Sequence, residues 1–375
     1  MESKIPVQRA LDPFGGSGTT ALACQFLGVL PTTVEVNPFL ADLIEAKLCQ
    51  YDADALARDL GLIASRAEEN ESAAILRLAG LPPTFVEPGL NNRWIFDRAI
   101  AIRVAALLDA VESLSDTKHR RLFKVLLGGV LIDVSNVVVS GKGRRYRRHW
   151  ESRGRNASSV DEAFFSSARA AIGDIHSYAN RRETHYTLVR GDARTAVKEG
   201  KWDLALFSPP YPNSFDYTDV YNVELWALGY LKSYDANRRL REATLSSHVQ
   251  VSRSFAQPPS GSPLLDQAMI ELIEVRKTLW DARIPDMVGA YFADIMSIIG
   301  DIGGNLTPGG SLWLVVGDSR YAGIQISTAQ IIGELATGVN WRLRGYEPFR
   351  SMRLSAQQGG RPELAETLIM LERAP

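Results

Sequence analysis

The feature that most constrains the fold is a glycine-rich segment near the start of the chain. It reads Asp12-Pro13-Phe14-Gly15-Gly16-Ser17-Gly18-Thr19-Thr20. Apolar residues precede it, an apolar helical segment follows at residues 21–27, and a short β-branched run lies at residues 32–36. This order of strand, turn, helix and strand predicts a parallel α/β sheet. Glycines in such a turn let the backbone approach a ligand closely, and the next helix offers free N–H groups at its start.

The turn by itself leaves its ligand open between a nucleoside triphosphate, a dinucleotide and S-adenosylmethionine. A P-loop carries a lysine before its serine or threonine, and this turn has none. Gly16, Gly18 and the small Ala21 fit a dinucleotide fingerprint, so neither NAD nor a purely structural turn is excluded. Glu35, about twenty residues further on, stands where nucleotide-binding folds place a carboxylate for ribose hydroxyls. A solvated acid in a turn is the alternative interpretation of Glu35.

The distribution of apolar residues divides the chain into three parts. Residues 1–50 hold the first α/β segment, residues 51–183 are predicted to form a mostly helical insert, and residues 184–375 return to an α/β pattern with a loop-rich sub-insert at 232–285. Helices are predicted at 52–80, 95–114, 119–139, 160–180 and 287–306, and strands at 187–189, 203–207, 311–316 and within 343–371. Residues 137–139 fit a strand as well as a continued helix. Residues 307–310 predict a tight turn, and residues 246–263 predict a mobile loop.

A second informative segment, Ser208-Pro209-Pro210-Tyr211, follows the predicted strand at 203–207. Two consecutive prolines cannot continue a central strand or a helix, so they fix a rigid turn at the strand end. The Ser208 hydroxyl and the Pro209 carbonyl can accept hydrogen bonds from an amino group, and Tyr211 places a ring beside them. An enzyme that acts on the amino group of an extruded base needs such acceptors and such a ring. Without a cofactor at the glycine-rich turn, a Pro-Pro turn with a surface tyrosine is the better interpretation.

Taken together, the glycine-rich turn and this tetrapeptide resemble the two lead motifs of bacterial site-specific DNA methyltransferases that act on base amino groups. Further similar segments are Val34-Glu35-Val36-Asn37-Pro38, Gly191-Asp192, Pro308-Gly309-Gly310 and Val315-Val316-Gly317-Asp318. Residues 213–226 resemble the loop that follows the catalytic motif in one subgroup, and residues 131–148 resemble the insert of that subgroup. The resemblance covers residues 10–48 and 185–375, and it covers the insert more loosely.

The resemblance implies a Rossmann-like, mostly parallel seven-stranded sheet with helices on both faces, and S-adenosylmethionine as cofactor. The cofactor-binding residues that it implies are Asp12, Pro13, Phe14, Gly16, Ser17, Gly18, Thr19, Glu35, Asn37 and Asp192. In this assignment Glu35 holds the ribose and Asp192 contacts the adenine ring. The catalytic residues that it implies are Ser208, Pro209, Pro210 and Tyr211, which receive the base amine. The leading serine resembles the N4-cytosine branch of the family, since asparagine or aspartate is the usual leader in the N6-adenine branch.

A run of positive charge lies within the predicted insert. The formal net charge of the chain is -1, but residues 140–156 carry a single acid, Glu151, among seven basic residues. We call these residues the basic strip: Lys142, Arg144, Arg145, Arg147, Arg148, Arg153 and Arg155. Phosphate contacts position DNA without reading its sequence, and we predict such contacts for Lys142, Arg144, Arg145, Arg147 and Arg148. A solvated charged loop is the alternative.

Composition excludes several classes of protein. Cys24 and Cys49 are the only cysteines, and the five histidines show no ligand spacing, so neither a disulfide framework nor a metal site is expected. The long apolar runs, such as residues 126–134, are too short to span a bilayer, and the N-terminus does not resemble a secretory signal. A cytoplasmic protein with no membrane partner is therefore expected.

The sequence predicts a methyltransferase that uses S-adenosylmethionine to modify the exocyclic amino group of a flipped base in duplex DNA, N4 of cytosine before N6 of adenine. An RNA base N-methyltransferase and a cofactor- and DNA-binding subunit without activity are the alternatives. Family members usually carry a helix before the first strand that covers the cofactor, and only eleven residues precede Asp12. We therefore expect that another segment or a second subunit covers the methionine end, or that the isolated chain binds the cofactor weakly. Double-stranded DNA is the expected partner, and a cognate restriction endonuclease is a further candidate.

Overall fold

The computed structural model describes residues 5–69, 71–140, 143–152, 154, 156–181, 185–352 and 364–373. Contacts between residues divide the chain into two compact units. The first, which we call the sheet unit, comprises the described residues of 1–37, 184–217 and 238–375. The second, which we call the helical unit, comprises those of 38–183 and 218–237. The first boundary between the units lies between residues 37 and 38, whereas the sequence predicted it at residue 50. Residues 218–237, which were predicted to belong to the second α/β part, belong to the helical unit.

The bounds of the regular elements follow from backbone hydrogen bonds. The strands are β1 (Arg9–Asp12), β2 (Leu30–Glu35), β3 (Val137–Ser140), β4 (Gly143–Tyr146), β5 (Thr187–Arg190), β6 (Trp202–Phe207), β7 (Leu306–Gly317), β8 (Ser319–Tyr321), β9 (Ile324–Ile326), β10 (Trp341–Met352) and β11 (Leu364–Arg373). The helices are α1 (Thr19–Leu27), α2 (Pro38–Leu48), α3 (Ala53–Glu69), α4 (Glu71–Leu78), α5 (Arg98–Glu112), α6 (Thr117–Val134), α7 (Ala157–Ser177), α8 (Ala193–Ala196), α9 (Tyr217–Val220), α10 (Asn222–Ala227), α11 (Tyr234–Glu242), α12 (Pro263–Glu274), α13 (Ile284–Asn305) and α14 (Thr328–Thr337).

The sheet unit is built on a seven-stranded sheet with the order β10-β11-β7-β6-β1-β2-β5. β1 is parallel to β2 and β6, β2 to β5, and β6 to β7. β11 runs antiparallel to both of its neighbours, β7 and β10. This is a Rossmann-like methyltransferase sheet, as the sequence predicted. Short parallel strands such as β1 and β2 are buried on most positions, which explains their apolar and β-branched composition.

The core of the sheet unit centres on α13. Ile295, Ile298, Ile299 and Ile302 recur at helical spacing on this helix and are fully buried. Burying one such side chain contributes roughly 1.5 to 3 kcal/mol, so this face alone accounts for a sizeable part of the stability of the unit. Among the described residues, α13 is also the one helix long and apolar enough, by length and composition, to cross a membrane. Most of it is buried inside the protein, which is how a core helix comes to have that composition.

The helical unit consists of packed helices and one hairpin. α5 contacts α3, α4, α6 and α7, and α6 contacts α2 and α10. α6 ends at Val134, and residues 137–139, which fitted a helix or a strand equally in sequence, form β3 and pair with β4. The helix predicted from residue 119 therefore ends at Val134, and of the two alternatives for residues 137–139 the strand is the one observed. Ser135 ends the helix, because its hydroxyl donates to the Ile132 carbonyl and its backbone is extended.

Two predicted irregular segments differ in detail from the structure. Residues 246–262 contain no helix or strand, in agreement with the predicted loop, but Ser246 and His248 are buried, so this end of the loop is packed into the protein. Its backbone can be buried because it is hydrogen-bonded; the Ser246 N–H, for instance, donates to Asp294 Oδ2 (2.9 Å). The predicted tight turn at 307–310 is a bulge inside β7, since Leu306 pairs with Trp202 whereas Ser311 pairs with Leu204.

Two adjacent glycines of α13 provide a test of this packing. A Cβ on Gly303 would lie 2.8 Å from Cζ2 of the buried Trp341 ring, whereas a Cβ on Gly304 would meet nothing within 4 Å. Alanine favours a helix over glycine by about 1 kcal/mol, and overpacking a core costs about 1 to 3 kcal/mol. We expect Gly304→Ala to raise or preserve the free energy of unfolding in urea and Gly303→Ala to lower it. Equal effects of the two substitutions would contradict the packing of α13 against β10.

Candidate active site

The segments singled out in the sequence lie at one edge of the sheet. Asp12 ends β1, Glu35 ends β2, Asp192 follows β5 and Ser208 follows β6. Because β5, β2, β1 and β6 are parallel neighbours in this order, their carboxyl ends meet at the same edge. The Gly191 N–H donates to the Glu35 carbonyl (3.1 Å), which extends the pairing of β2 and β5 as far as Asp192. The fold therefore brings together residues that are far apart in sequence.

The glycine-rich turn is fixed by backbone hydrogen bonds and by glycines in the left-handed region. The Gly15 N–H donates to the Val34 carbonyl (2.9 Å), and the Gly18 N–H donates to the Gly15 carbonyl (2.8 Å). Gly16 and Gly18 have φ angles of 51° and 80°, which residues with a Cβ rarely adopt. Gly18 is the N-cap of α1 and contributes no side-chain cap, so N–H groups at the start of this helix stay available to a polar ligand.

Glu35 anchors this turn from the end of β2. Its Oε2 accepts a hydrogen bond from the Gly16 N–H and its Oε1 accepts one from the Asn37 N–H, both at 2.7 Å. The side chain is buried, and burial raises the pKa of its carboxyl to about 7 despite these two hydrogen bonds. The neighbouring Asp12 raises this pKa further by repulsion. The carboxyl is therefore poorly compensated as an anion in the free protein.

Asp12 is the second buried acid of the turn. Its Oδ1 accepts a hydrogen bond from the Phe14 N–H (3.0 Å), and the Thr20 side chain also bonds to the carboxyl. Burial nevertheless raises the pKa of Asp12 to about 6. Two adjacent buried carboxyls repel a phosphate and attract hydroxyl donors or a cation. The electrostatics of the turn thus disfavour the phosphates of a nucleoside triphosphate, whereas an acid at the position of Glu35 is equally the ribose partner of a dinucleotide and does not exclude one.

Asp192 is engaged by an arginine that the sequence analysis did not predict. Its side chain caps α8 by accepting from the Arg194 N–H (2.9 Å), and Arg194 Nη2 bonds to its Oδ2 at 2.7 Å. Arg194 also donates to the Glu242 carbonyl (2.9 Å) and to Asp294 (3.3 Å). The carboxylate is consequently held in a fixed orientation at the end of β5. An acid followed two positions later by an arginine was the only local signal of this pair.

The tetrapeptide after β6 is fixed by its tyrosine. The Ser208 hydroxyl lies 3.2 Å from the Tyr211 hydroxyl, which donates to Glu366 Oε1 (3.1 Å). Tyr211 is only 9% exposed and packs in the hydrophobic core, whereas Ser208 is exposed. Burial raises the pKa of the Tyr211 hydroxyl well above its ordinary value. The phenol therefore stays protonated and acts as a bridge between Ser208 and Glu366.

The turn and the tetrapeptide touch through aromatic rings. Phe14 of the turn packs against Phe207, the last residue of β6, with ring centroids 5.7 Å apart. Phe207 directly precedes Ser208, so the position of the turn and the position of the Ser208 hydroxyl are coupled through one contact. A group bound at the turn and a group presented to Ser208 are thereby brought next to each other.

The described residues of the basic strip lie in the helical unit and differ in how far their side chains are exposed to solvent. Arg147 donates to the Ile132 carbonyl (2.8 Å) and the Ser135 carbonyl (3.3 Å), and so caps the end of α6. Arg144 is half-buried, while Arg145 and Arg148 are exposed. Lys142, Arg153 and Arg155 lie outside the described residues. Among the described cations of this strip, Arg145 and Arg148 are the ones that reach solvent most directly.

Tyr146 and Trp150, which are interleaved with the strip, pack together rather than standing free. Their ring centroids are 5.1 Å apart, and Trp150 packs edge-on against Trp94 at 4.8 Å. Arg93 lies over the Tyr146 ring at 5.8 Å. Trp150 is buried by these contacts. The aromatic cluster stiffens the segment on which Arg145 and Arg148 are carried.

Comparison with characterised proteins agrees with this geometry, although no family model matches the chain. The type II methyltransferase M.AvaI of Nostoc sp. is 23% identical, over 91% of this chain and 74% of the relative. M.AvaI of Anabaena variabilis gives the same values. The type II methyltransferase M.BsoBI of Geobacillus stearothermophilus is 22% identical, over 93% of this chain and 75% of the relative.

The chain resembles bacterial site-specific methyltransferases. The similarity covers 91 to 93% of the chain. The strands that carry the glycine-rich turn and the tetrapeptide, β1 and β6, are neighbours in the sheet. The resemblance suspected from the motifs is therefore confirmed.

The raised pKa of Glu35 leads to a prediction about stability. Its value of about 7 in the folded protein exceeds the ordinary 4.5, so the folded state holds a proton that the unfolded chain releases between these pH values. The stability that this group contributes is complete below pH 4.5 and is lost as the pH rises through 7.

We therefore expect the free energy of unfolding of the ligand-free wild type to fall, relative to Glu35→Gln, by about 1 to 3 kcal/mol between about pH 5 and about pH 8. Urea denaturation at several pH values measures this difference. Glu274→Gln, at an exposed position of α12, is the control that should follow the wild type. Parallel curves for Glu35→Gln and the wild type would contradict the burial of an uncompensated carboxyl.

Proposed function

We propose that this protein is a DNA methyltransferase that uses S-adenosylmethionine to methylate the exocyclic amino group of a base, most simply N4 of cytosine in duplex DNA. The observation that carries the proposal is the adjacency of the glycine-rich turn and the tetrapeptide on the paired strands β1 and β6, joined by the contact of Phe14 with Phe207. The similarity to type II methyltransferases supports it.

The residues at the turn fit S-adenosylmethionine better than the other ligands considered. The cofactor carries ribose hydroxyls that can donate to Glu35 and a sulfonium cation that compensates buried carboxyls such as Asp12 and Glu35. It has no phosphate for those carboxyls to repel. The available N–H groups at the start of α1 and the rigidly held Asp192 supply polar partners for its remaining groups.

The proposed chemistry needs little beyond positioning. Bound at the turn, the cofactor would supply the methyl group: an N–C bond forms as the S–C bond breaks, the sulfonium leaves as a neutral thioether, and the amino nitrogen releases one proton to solvent. The Ser208 hydroxyl and the Pro209 carbonyl would accept hydrogen bonds from the amine and so aim the nitrogen lone pair at the cofactor side. The bridge from Tyr211 to Glu366 would hold the Ser208 hydroxyl in that orientation. A base must leave the helical stack to reach these acceptors, so base flipping is part of the proposal.

The preference for cytosine rests on the leading serine of the tetrapeptide, which resembles the N4-cytosine branch. N6-adenine methylation is the alternative within the same chemistry. For DNA, we propose that the helical unit supplies target recognition and that Arg145 and Arg148, with Lys142 and Arg144, contact phosphates. Arg147 would contribute through the hairpin that it fixes at the end of α6 rather than by a free guanidinium.

Incubation of the purified chain with S-adenosylmethionine labelled on the methyl group tests the function. Plasmid DNA and total RNA are offered in separate reactions. Label in DNA supports the proposal. Label only in RNA would establish the RNA methyltransferase alternative, and binding of cofactor and DNA without transfer would establish the non-catalytic subunit.

Two substitutions should separate the two halves of the site. We expect Ser208→Ala to lower turnover on plasmid DNA about ten- to hundredfold while leaving the dissociation constant for S-adenosylmethionine nearly unchanged, because its hydroxyl faces the base. We expect Asp192→Ala to raise that dissociation constant about tenfold, because a cofactor contact is lost. Turnover assays and calorimetric titration with the cofactor measure the two effects. Full activity of Ser208→Ala would exclude the proposed role of the tetrapeptide.

A further inference from the structure

The residues at the end of the tetrapeptide have few backbone donors with which to hold themselves in place. Three of the four residues at 209–212 are prolines, which have no backbone N–H, so Tyr211 alone can donate a main-chain hydrogen bond. The Tyr211 carbonyl accepts from the Asn213 N–H (2.8 Å). Pro212 is buried, and a buried carbonyl requires a donor. The donor for Pro212 comes from a distant part of the chain.

That donor is Tyr321, the last residue of β8. Its hydroxyl donates to the Pro212 carbonyl (2.9 Å). The side chain is buried, and its ring belongs to the hydrophobic core of the sheet unit. Burial raises the pKa of the hydroxyl well above its ordinary value, so the phenol keeps the proton that it donates. A tyrosine 109 residues further along the chain therefore fixes the residue that directly follows the tetrapeptide.

A tight hairpin carries Tyr321. β8 pairs antiparallel with β9, and Tyr321 pairs with Ile324 next to the turn. The two turn residues, Ala322 and Gly323, have φ angles of 47° and 85°. A two-residue turn with both residues in the left-handed region matches the twist of the paired strands, so the hairpin is short and well defined. The turn residues are exposed, whereas the tyrosine beside them is buried.

Hydrogen bonds at the base of the hairpin attach it to the sheet. Asp318, which follows β7, accepts from the Thr328 N–H (2.9 Å) and from Gln325 Nε2 (3.3 Å). Its own N–H donates to the Ala365 carbonyl of β11 (3.1 Å). A two-stranded hairpin is marginally stable by itself, so these bonds and the buried tyrosine ring keep it in place. Because β7 is the neighbour of β6, which leads into the tetrapeptide, adjacent strands carry the two partners of the contact.

A second buried tyrosine of the same core has no comparable contact. Tyr291 of α13 is fully buried, and its hydroxyl has no hydrogen-bond partner among the residues that the structure describes. A buried hydroxyl without a partner lowers stability, whereas a hydroxyl that satisfies a buried carbonyl preserves it. The Tyr321 and Tyr291 hydroxyls are thus alike in burial and differ in the contact with Pro212, which makes Tyr291 a matched comparison.

We propose that Tyr321 is a positioning residue of the methyl transfer, because its hydroxyl holds the Pro212 carbonyl and so fixes the end of the tetrapeptide. β6 fixes the other end, and the Ser208 hydroxyl and the Pro209 carbonyl are thereby kept at the spacing that a base amine requires. Small displacements of such groups cause large losses of rate. This inference rests on the proposed function and adds to it a residue that touches neither base nor cofactor.

Single-turnover transfer of labelled methyl groups from S-adenosylmethionine to plasmid DNA, with both at saturating concentrations, tests this role. We expect Tyr321→Phe, which keeps the ring and loses the donor, to be slower than the wild type by about threefold to thirtyfold. Its dissociation constant for S-adenosylmethionine should stay within about twofold of the wild type, because the lost contact lies on the tetrapeptide side of the site. Tyr291→Phe, the same change at a hydroxyl that has no such contact, should keep the wild-type rate.

A second control separates positioning from stability. Ile326→Val removes a methyl group from a fully buried side chain of β9 and leaves the Tyr321 hydroxyl and the Pro212 carbonyl as they are. It should lower the melting temperature, as Tyr321→Phe does, but keep the wild-type rate at saturation. An equal loss of rate in Ile326→Val and Tyr321→Phe would overturn the inference, because a general loosening of the hairpin would then account for both.

A rate for Tyr321→Phe equal to that of Tyr291→Phe and of the wild type would also overturn the inference, while leaving the proposed function intact. A wild-type protein that binds the cofactor but transfers no label to DNA would instead refute the proposed function, and the inference with it.

Discussion

The parallel pairing of β1 with β6 is the interaction on which the rest of the site depends. Ala10 pairs with Leu204 and Leu11 with Ala205, so both strands end together and deliver Asp12 and Ser208 to one edge. At the opposite end Asp203 accepts hydrogen bonds from the Gln8 N–H (2.8 Å) and the Arg9 N–H (2.9 Å). The same carboxylate accepts from the Thr307 hydroxyl (2.8 Å) at the start of β7. One side chain therefore sets the register of three central strands.

Two carboxyl groups are buried close to this pairing, and their hydrogen bonds do not offset the cost of ionising them there. Asp12 and Glu35 are buried next to each other, and burial raises the pKa of both carboxyls. Such an arrangement lowers the stability of the free protein at neutral pH, and a ligand with hydroxyl donors and positive charge would offset that loss. Fixed groups that need no rearrangement when the ligand arrives are what an enzyme requires for positioning. On the base side, Ser208, Tyr211 and Glu366 form a comparable fixed relay.

Much of the fold followed from local sequence patterns, because glycines, prolines and apolar periodicity act locally. The glycine-rich turn, β2, β6 and the long α13 were predicted close to their observed bounds. Residues 137–139 could not be assigned from their own composition, since the partner strand β4 decides between helix and strand. The buried course of residues 246–249 depends on Asp294 and Ser214, which are distant in sequence.

In the site, too, local sequence predicts some features and contacts between distant residues decide the others. The motifs predicted which residues meet at the edge of the sheet, but not the partners that orient them. Arg194 contacts Asp192 locally, two positions along the chain, whereas Glu366 and Arg241 contact motif residues through tertiary packing. No spacing rule identifies Glu366, which lies far along the chain on β11. The roles of Ser208 and Asp192 toward base and cofactor stay predictions, because contacts within the protein do not assign them.

The central claim is that this site methylates an amino group of a DNA base. Mass spectrometry of the nucleosides from DNA of cells that express the chain tests it most directly, with cells expressing Ser208→Ala as the matched control. The account predicts N4-methylcytosine with the wild type and a strong reduction of it with the variant. Methylation at carbon 5 of cytosine, or no modified base from a folded and expressed wild-type protein, would contradict it.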